Sequence, residues 1–285
     1  MISPAIGAKI AAILGAPPRD LQPLSGGCVG EVYGLRAGDG CYVVKVDRAA
    51  SGALAVEGRM LDYLARHTRL PTPRPLGHDN AFLLMTRLPG SASLGGAAEH
   101  HAAALLGELH NVSHAAYGFE FDTVIGGLPQ PNAYTASWLE FFADRRLLAM
   151  ARQAFDAGRL PAALVQSLET LAGRLSRWLD EPARPGLIHG DVWGGNVLAA
   201  DGKITGLIDP AVYFADPEIE LAFITLFHTF GDAFFQTYRE RREITSAFWE
   251  AKKDIYNLYP LLVHARLFGG GYVDRVAATL RRFAG

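Results

Sequence analysis

The sequence predicts an α+β chain of two lobes. A small antiparallel β-rich N-terminal lobe is expected over residues 1–88, and a larger, mainly helical C-terminal lobe over residues 89–285. Three observations predict this. Short β-branched and apolar runs separated by Gly-rich turns crowd ahead of Pro89-Gly90-Ser91. Apolar residues at helical spacing dominate after it. One compact strand pair between Leu187 and Ile208 interrupts those helices and carries polar residues at its ends.

Taken in order, residues Ile6 to Leu14 read as a short helix closed by Gly15 and Pro17-Pro18. Leu21-Gln22-Pro23-Leu24 leads into a Gly-rich turn, Ser25-Gly26-Gly27-Cys28-Val29-Gly30, and a strand over Glu31 to Arg36. Ala37-Gly38-Asp39-Gly40 is a hairpin turn, and Tyr42-Val43-Val44-Lys45-Val46 is a second strand. Leu54 to Arg66 repeats apolar positions at helical spacing until Pro71-Thr72-Pro73-Arg74-Pro75 breaks the pattern. Ala81 to Thr86 reads as a strand. Beyond the boundary at Pro89, helices are expected over Ala97 to Leu109, Tyr134 to Ala154, Leu160 to Leu179, Glu218 to Arg239 and Ala247 to Phe268. Strands are expected over Leu187 to Ala199 and Ile204 to Ile208, joined by Asp201-Gly202.

Composition excludes several classes. The formal net charge of -2 offers no basic field for nucleic acid. Two cysteines, Cys28 and Cys41, make neither a disulfide scaffold nor a structural zinc site alone. The most apolar stretch, Ile219 to Phe235, is interrupted by His228 and Asp232, so no bilayer span is expected. The first fifteen residues have no basic segment ahead of a long apolar run, so no signal peptide is read there and a cytoplasmic location is expected.

The chemistry concentrates in Leu187-Ile188-His189-Gly190-Asp191-Val192-Trp193-Gly194-Gly195-Asn196-Val197-Leu198 and in Gly206-Leu207-Ile208-Asp209-Pro210. Taken singly, Asp191 and Asn196 are ordinary turn formers. As an ordered set they suit phosphoryl transfer. That reaction needs a carboxylate to orient the attacking hydroxyl and a few oxygen ligands to hold magnesium on the phosphates. Asp191 fits the first role; Asn196 and Asp209 fit the second. Lys45 sits in a strand suited to burial, and a buried ammonium needs a partner. Glu57, on the following helix, is the natural one, aiming Lys45 at the nucleotide phosphates; the alternative is a surface lysine and a solvated glutamate. The turn at Gly26 and Gly27 is neither a Walker A loop nor a dinucleotide fingerprint. Ahead of Lys45 it reads as a flap over the ATP phosphates.

These residues match a known pattern. HGDVWGGN, His189 to Asn196, resembles the HGDLWGGN signature of the fructosamine kinases (ketosamine 3-kinases), a branch of the aminoglycoside-phosphotransferase and choline-kinase superfamily with the protein-kinase-like two-lobe fold. Tyr117-Gly118-Phe119, Ile125-Gly126-Gly127-Leu128-Pro129-Gln130-Pro131-Asn132 with Trp138, Ile208-Asp209-Pro210-Ala211 with Tyr213 and Glu218 to Ala222, and Phe268-Gly269-Gly270-Gly271-Tyr272 resemble further family blocks. Together they span residues 20 to 275. The resemblance implies transfer of a phosphoryl group from ATP, with Mg2+, to the 3-hydroxyl of a ketosamine, either a free small molecule or a glycated protein; ribulosamines and erythrulosamines are implied beside fructosamines. It implies that Leu83 to Thr86 is the hinge that reads adenine, with Met85 in the nucleotide site, although Thr86 stands where the family usually has an acidic residue. Trp193 either flanks the sugar or packs under the loop. His189 and His110 are read as structural.

Two rival readings remain open at this stage. One is another small-molecule kinase of the superfamily, although a C-terminal part carrying Arg239, Arg241, Arg242, Lys252 and Lys253 is not the acidic lobe an aminoglycoside favours. The other is a nucleotide-binding pseudokinase, which intact Lys45, Glu57, Asp191, Asn196 and Asp209 argue against. Cys28, at the flap tip, is either an inert small residue or a redox handle linking two chains, so the expected state is a monomer or a redox-linked homodimer.

Overall fold

Alternating side-chain direction explains how the N-terminal sheet is covered on both faces. In a computed structural model that describes residues 2–24 and 30–283, the chain begins with α1 (Pro4–Leu14), β1 (Arg19–Pro23), β2 (Glu31–Ala37), β3 (Gly40–Val46), α2 (Ala53–His67), β4 (Pro75–His78) and β5 (Phe82–Thr86). Among the described residues these strands form one antiparallel five-stranded sheet in the order β1-β2-β3-β5-β4. Leu35, Val44, Val46, Phe82 and Leu84 meet Ile10 of α1 on one face. Val43, Leu83 and Met85 meet Leu54 and Leu61 of α2 on the other. β3 is central, paired with β2 at Lys45↔Val32 and with β5 at Lys45↔Leu83. By its place in the alternation, Lys45 therefore lies on the α2 face. Glu57 falls on the same helical stripe as Leu54, Leu61 and Leu64 and is buried with them. Gly26, Gly27 and Cys28 lie outside the described residues.

The rest of the chain comprises α3 (Gly96–Leu109), β6 (Thr123–Ile125), β7 (Leu128–Gln130), α4 (Trp138–Phe141), α5 (Ala149–Asp156), α6 (Ala162–Ala172), β8 (Gly186–Ile188), β9 (Val197–Ala200), β10 (Lys203–Leu207), β11 (Tyr213–Ala215), α7 (Glu218–Leu226), α8 (Asp232–Arg239), α9 (Lys253–Tyr256), α10 (Leu258–Phe268) and α11 (Gly271–Arg282). Its core is aromatic: Trp138, Phe141, Phe142, Tyr213, Phe234, Phe248 and Tyr256 are fully buried. The fold is protein-kinase-like, with an antiparallel sheet followed by a mainly helical body.

Several elements differ from the sequence reading. The strand expected over Leu187 to Ala199 is two strands in different ladders. β8 pairs with β11, β9 pairs with β10, and the segment between them is a loop ending in a 3-10 turn at Gly194–Asn196. The helix expected over Tyr134 to Ala154 starts at the Ser137 cap and passes through a π-helical stretch, Phe142–Leu148, before α5. The helix expected over Glu218 to Arg239 is broken between α7 and α8. The sequence reading has no element at β1, β4, β6, β7, β11 or α11; the strands among these are three to five residues long and carry too little periodicity to read.

Contacts on two sides join the sheet to the helical body near the site. The linker residue Ser91 bridges Ala199 through both backbone bonds (3.0 and 2.8 Å), and Leu207 N donates to Pro71 O at 2.8 Å, which fixes the β9–β10 hairpin beneath the sheet. On the other side, the Arg59 guanidinium of α2 lies 3.7 Å from the centre of the Phe121 ring, and Tyr63 packs edge-on to Phe119 at 4.6 Å. This clamp holds α2, and so Glu57, against the helical body. A cation–π contact is worth about 0.5–2 kcal/mol, and about 1.4 kcal/mol is tenfold in affinity. Arg59→Ala is therefore expected to raise the Kd for ATP by about 2- to 30-fold. Calorimetric titration with nucleotide checks it, and unchanged affinity would show that the clamp does not act on the nucleotide site.

Candidate active site

The loop that carries Asp191 is shaped by one glycine. β8 ends at Ile188, and the chain then turns at Gly190, whose φ is 88°. A Cβ there would stand 2.1 Å from the Ala211 carbonyl oxygen, so only glycine lets the loop pass this close to the strand it crosses. Ala211 N donates to His189 O at 2.8 Å across the same crossing. The loop amides are satisfied from α7. Gly190 N donates to Glu220 Oε1 at 2.6 Å and His189 N donates to Glu220 Oε2 at 3.3 Å. His110 Nε2 lies 2.9 Å from the same carboxylate, and its Nδ1 lies 2.6 Å from the Tyr238 hydroxyl. Burial opposes the charge on Glu220, but the His110 and Gly190 bonds hold its carboxyl below the ordinary value. His189 is fully buried, which lowers its pKa, and its Nδ1 faces the Asp191 amide at 3.4 Å. His110 and His189 are thus internal supports.

Asp191 and Asn196 face each other across the loop. Asn196 Nδ2 donates to Asp191 Oδ2 at 2.7 Å and to Asp191 O at 3.0 Å. Asn196 O in turn accepts from Ile208 N at 3.0 Å, which ties the loop to the chain between β10 and Asp209. Asp209 has a left-handed φ of 56°, which turns its carboxylate back into the cleft. Lys45 Nζ donates to Glu57 Oε1 at 2.7 Å and to Asp209 Oδ1 at 2.6 Å. Burial disfavours the ammonium, but the Glu57 and Asp209 carboxylates outweigh it and raise the Lys45 pKa above its usual value. Burial, reinforced by the Asp209 charge, pushes the Asp191 carboxyl up to about 8, against the Asn196 bond and the more distant Lys45.

The structure brings Lys45, Glu57, Asp191, Trp193, Asn196 and Asp209 to one cleft. Met85 does not line it; that side chain is buried against Leu54, Leu61 and Leu83. Trp193 is 41% exposed and lies over Gly195, where an added Cβ would meet the indole at 2.4 Å. The indole is therefore on the cleft side of the loop and not beneath it. Sequence reasoning missed the opposite wall, the tip of the β6–β7 hairpin at Ile125, Gly126 and Gly127. Its base is anchored from within: Gln130 Nε2 donates to Thr123 Oγ1 at 2.7 Å and to Ala211 O at 3.1 Å, and Tyr259 OH donates to Gln130 Oε1 at 2.6 Å. The fully buried Arg146 donates to Asn132 Oδ1 at 2.6 Å and to Pro131 O at 2.7 Å, and stacks 3.7 Å over Tyr213. The available signal was the polar string Gln130-Pro131-Asn132, whose buried partners no local pattern names.

Among the described residues, no group of three or more His, Cys, Asp or Glu side chains converges on a metal. The donor set is one carboxylate and one amide. Asn196 spends its NH2 on Asp191, leaving its oxygen as an acceptor. Such a sparse oxygen set fits a hard cation that keeps water and phosphate as its other ligands.

Known proteins resemble the chain along most of its length. A candidate ketoamine kinase of Synechocystis sp. is 32% identical, covering 97% of this chain and 95% of that protein. The chloroplastic protein-ribulosamine 3-kinase of Arabidopsis thaliana is 29% identical over 87% of this chain and 78% of its own length. A crystal structure of a candidate fructosamine-3-kinase from Thermobifida fusca superposes with a TM-score of 0.85 at 29% identity, covering 97% of this chain and 99% of that one. An aminoglycoside phosphotransferase solved with ADP and hygromycin B shares the fold alone, at 21% identity and a TM-score of 0.69, covering 99% of each chain. The fructosamine kinase family profile matches residues 3–284, so the HGDVWGGN loop and the lysine–carboxylate cleft sit in a chain that belongs to the fructosamine kinase family.

Proposed function

We infer that the protein transfers the γ-phosphoryl group of ATP to the 3-hydroxyl of a ketosamine. The observation that carries this reading is the convergence of Lys45, Asp191, Asn196 and Asp209 on a cleft whose acceptor side is open and edged by Trp193. Asp191 would accept a hydrogen bond from the 3-hydroxyl and take its proton as the oxygen attacks phosphorus. The bond to the bridging oxygen of ADP breaks in the same displacement. Lys45 would hold the nucleotide phosphates, positioned by Glu57. Asn196 and Asp209 would hold Mg2+, which when bound supplies neutralising charge on the phosphates. The hairpin tip at Gly126 and Gly127 forms the far wall.

ATP consumption tests this across ribulosamine, erythrulosamine, fructosamine, aminoglycoside and choline-like acceptors. Turnover of the ketosamines is expected; a protein that phosphorylates none of them, yet turns over another alcohol efficiently, overturns the reading. Free ketosamines and glycated proteins both present the required hydroxyl. No helix among the described residues is long and apolar enough to cross a membrane, and the cytoplasm is the proposed site of action. The proposed state is a monomer or a homodimer linked through Cys28. The linked state requires a covalent dimer on non-reducing gels after peroxide, absent in Cys28→Ser; a dimer that persists in that variant leaves Cys28 an inert small residue.

A further inference from the structure

Aromatic side chains continue outward from the catalytic loop in an unbroken series. Trp193 lies 6.2 Å from Phe227, at the end of α7, and Phe227 lies 5.1 Å from His264 on α10. His264 is followed by Phe268 at 5.8 Å and Tyr272 at 4.9 Å, measured between ring centres. The local chain explains the far end. α10 stops at Gly269 and Gly270, both at positive φ (67° and 59°), and the turn brings Tyr272, in the first turn of α11, back beside His264. His264 is held by its Nδ1 bond to Pro260 O at 2.8 Å. The two ends of the series are open: Trp193 is 41% exposed and Phe268 58% exposed. Phe227, His264 and Tyr272 between them are half-buried, and a contiguous aromatic row of this kind, open at both ends and lining a cleft at one of them, marks a binding surface more than a packing accident.

The acceptor chemistry says what would lie there. In a ketosamine the amine nitrogen sits on C1, two carbons from the hydroxyl that Asp191 must reach, so the carrier group leaves the cleft close to the loop that bears Trp193. That nitrogen is a secondary ammonium, a cation suited to the face of an indole. Resting on the kinase reading above, we propose that the strip Trp193–Phe227–His264–Phe268–Tyr272 is a carrier subsite selecting ketosamines whose amine bears an aromatic or large apolar group. The sugar is held at the loop, and the carrier lies along the rings.

The test compares kcat/KM for two synthetic ribulosamines, one made from benzylamine and one from methylamine. A phenyl ring leaving water against such a surface is expected to give about a tenfold preference for the benzyl compound, equivalent to about 1.4 kcal/mol. The ratio is expected to fall towards one in the Phe268→Ala/Tyr272→Ala double variant. It should persist in Phe155→Ala, which removes an exposed ring outside the strip. A ratio near one in the parent, with the methyl compound turned over, overturns the carrier subsite and leaves the kinase reading standing. Turnover of neither compound overturns both. A parent that dimerises in light scattering, loses dimerisation in the double variant and keeps its ratio assigns the strip to a second copy of the chain and also overturns the proposal.

Discussion

Asp191→Asn is expected to lower kcat by about 10²–10⁴-fold, the usual range for a positioned general base, while leaving the affinity for Mg-ATP largely intact. The amide can occupy the space of the carboxylate and still face Asn196, but it cannot take the proton of the acceptor hydroxyl. Asp191 makes no ion pair with Lys45; that lysine is committed to Glu57 and Asp209. Nucleotide binding should therefore survive. The variant should also be at least as thermally stable as the parent, because a buried carboxylate whose strongest partner is a neutral amide costs more than it contributes. Steady-state kinetics, nucleotide titration and thermal melting on one preparation check all three statements. Equal turnover in variant and parent would remove Asp191 from the reaction.

Asp209→Ala is expected to lose metal-dependent nucleotide binding and turnover together. Asp209 touches two partners in the proposed mechanism, the Lys45 ammonium and the magnesium on the phosphates. Removing it leaves Lys45 paired with Glu57 at 2.7 Å, so the fold should hold. In the parent, nucleotide at a hundredfold excess over Kd should stabilise the protein by about 2.7 kcal/mol. That stabilisation should require Mg2+ in the parent and vanish in the variant. If Mg-ATP stabilises Asp209→Ala as it does the parent, the metal is held elsewhere.

The contrast between Lys45 and Gln130 shows which parts of the site were legible. Lys45 stands out because a strand of Val43, Val44 and Val46 is suited to burial and an ammonium within it requires a carboxylate; Glu57, on the next helix, supplied it twelve residues away. Asp191, Asn196 and Asp209 are legible because a carboxylate and an amide five residues apart, followed by a strand leading into a second Asp, form an ordered set that suits phosphoryl transfer. Gln130 carries no comparable local signal. Its partners, Thr123, Ala211 and Tyr259, come from three separate stretches of chain, and its role as the root of the cleft's far wall exists only once they meet. The segment from Leu187 to Ala199 shows the same limit: its glycines, Asp191 and Asn196 mark a loop between strands, yet only the tertiary structure puts β8 and β9 in different ladders, with Gly190 at a crossing where a Cβ would stand 2.1 Å from a backbone oxygen.

By itself the sequence determined the succession of a β-rich and a helical region, the polar residue types proposed here for phosphoryl transfer, and, through HGDVWGGN, the family. Local patterns report burial, turn chemistry and residue type, and those properties are set by neighbours along the chain. The tertiary structure alone decided that Asp209 meets Lys45 across 164 residues, that the β6–β7 hairpin walls the cleft, that Arg59 and Phe121 clamp α2, and that the Trp193 indole lies on the cleft side of its loop. Those are meetings between distant segments. They follow from how buried surfaces stack and from which buried polar groups must find partners, and neither is written in the spacing of any one segment.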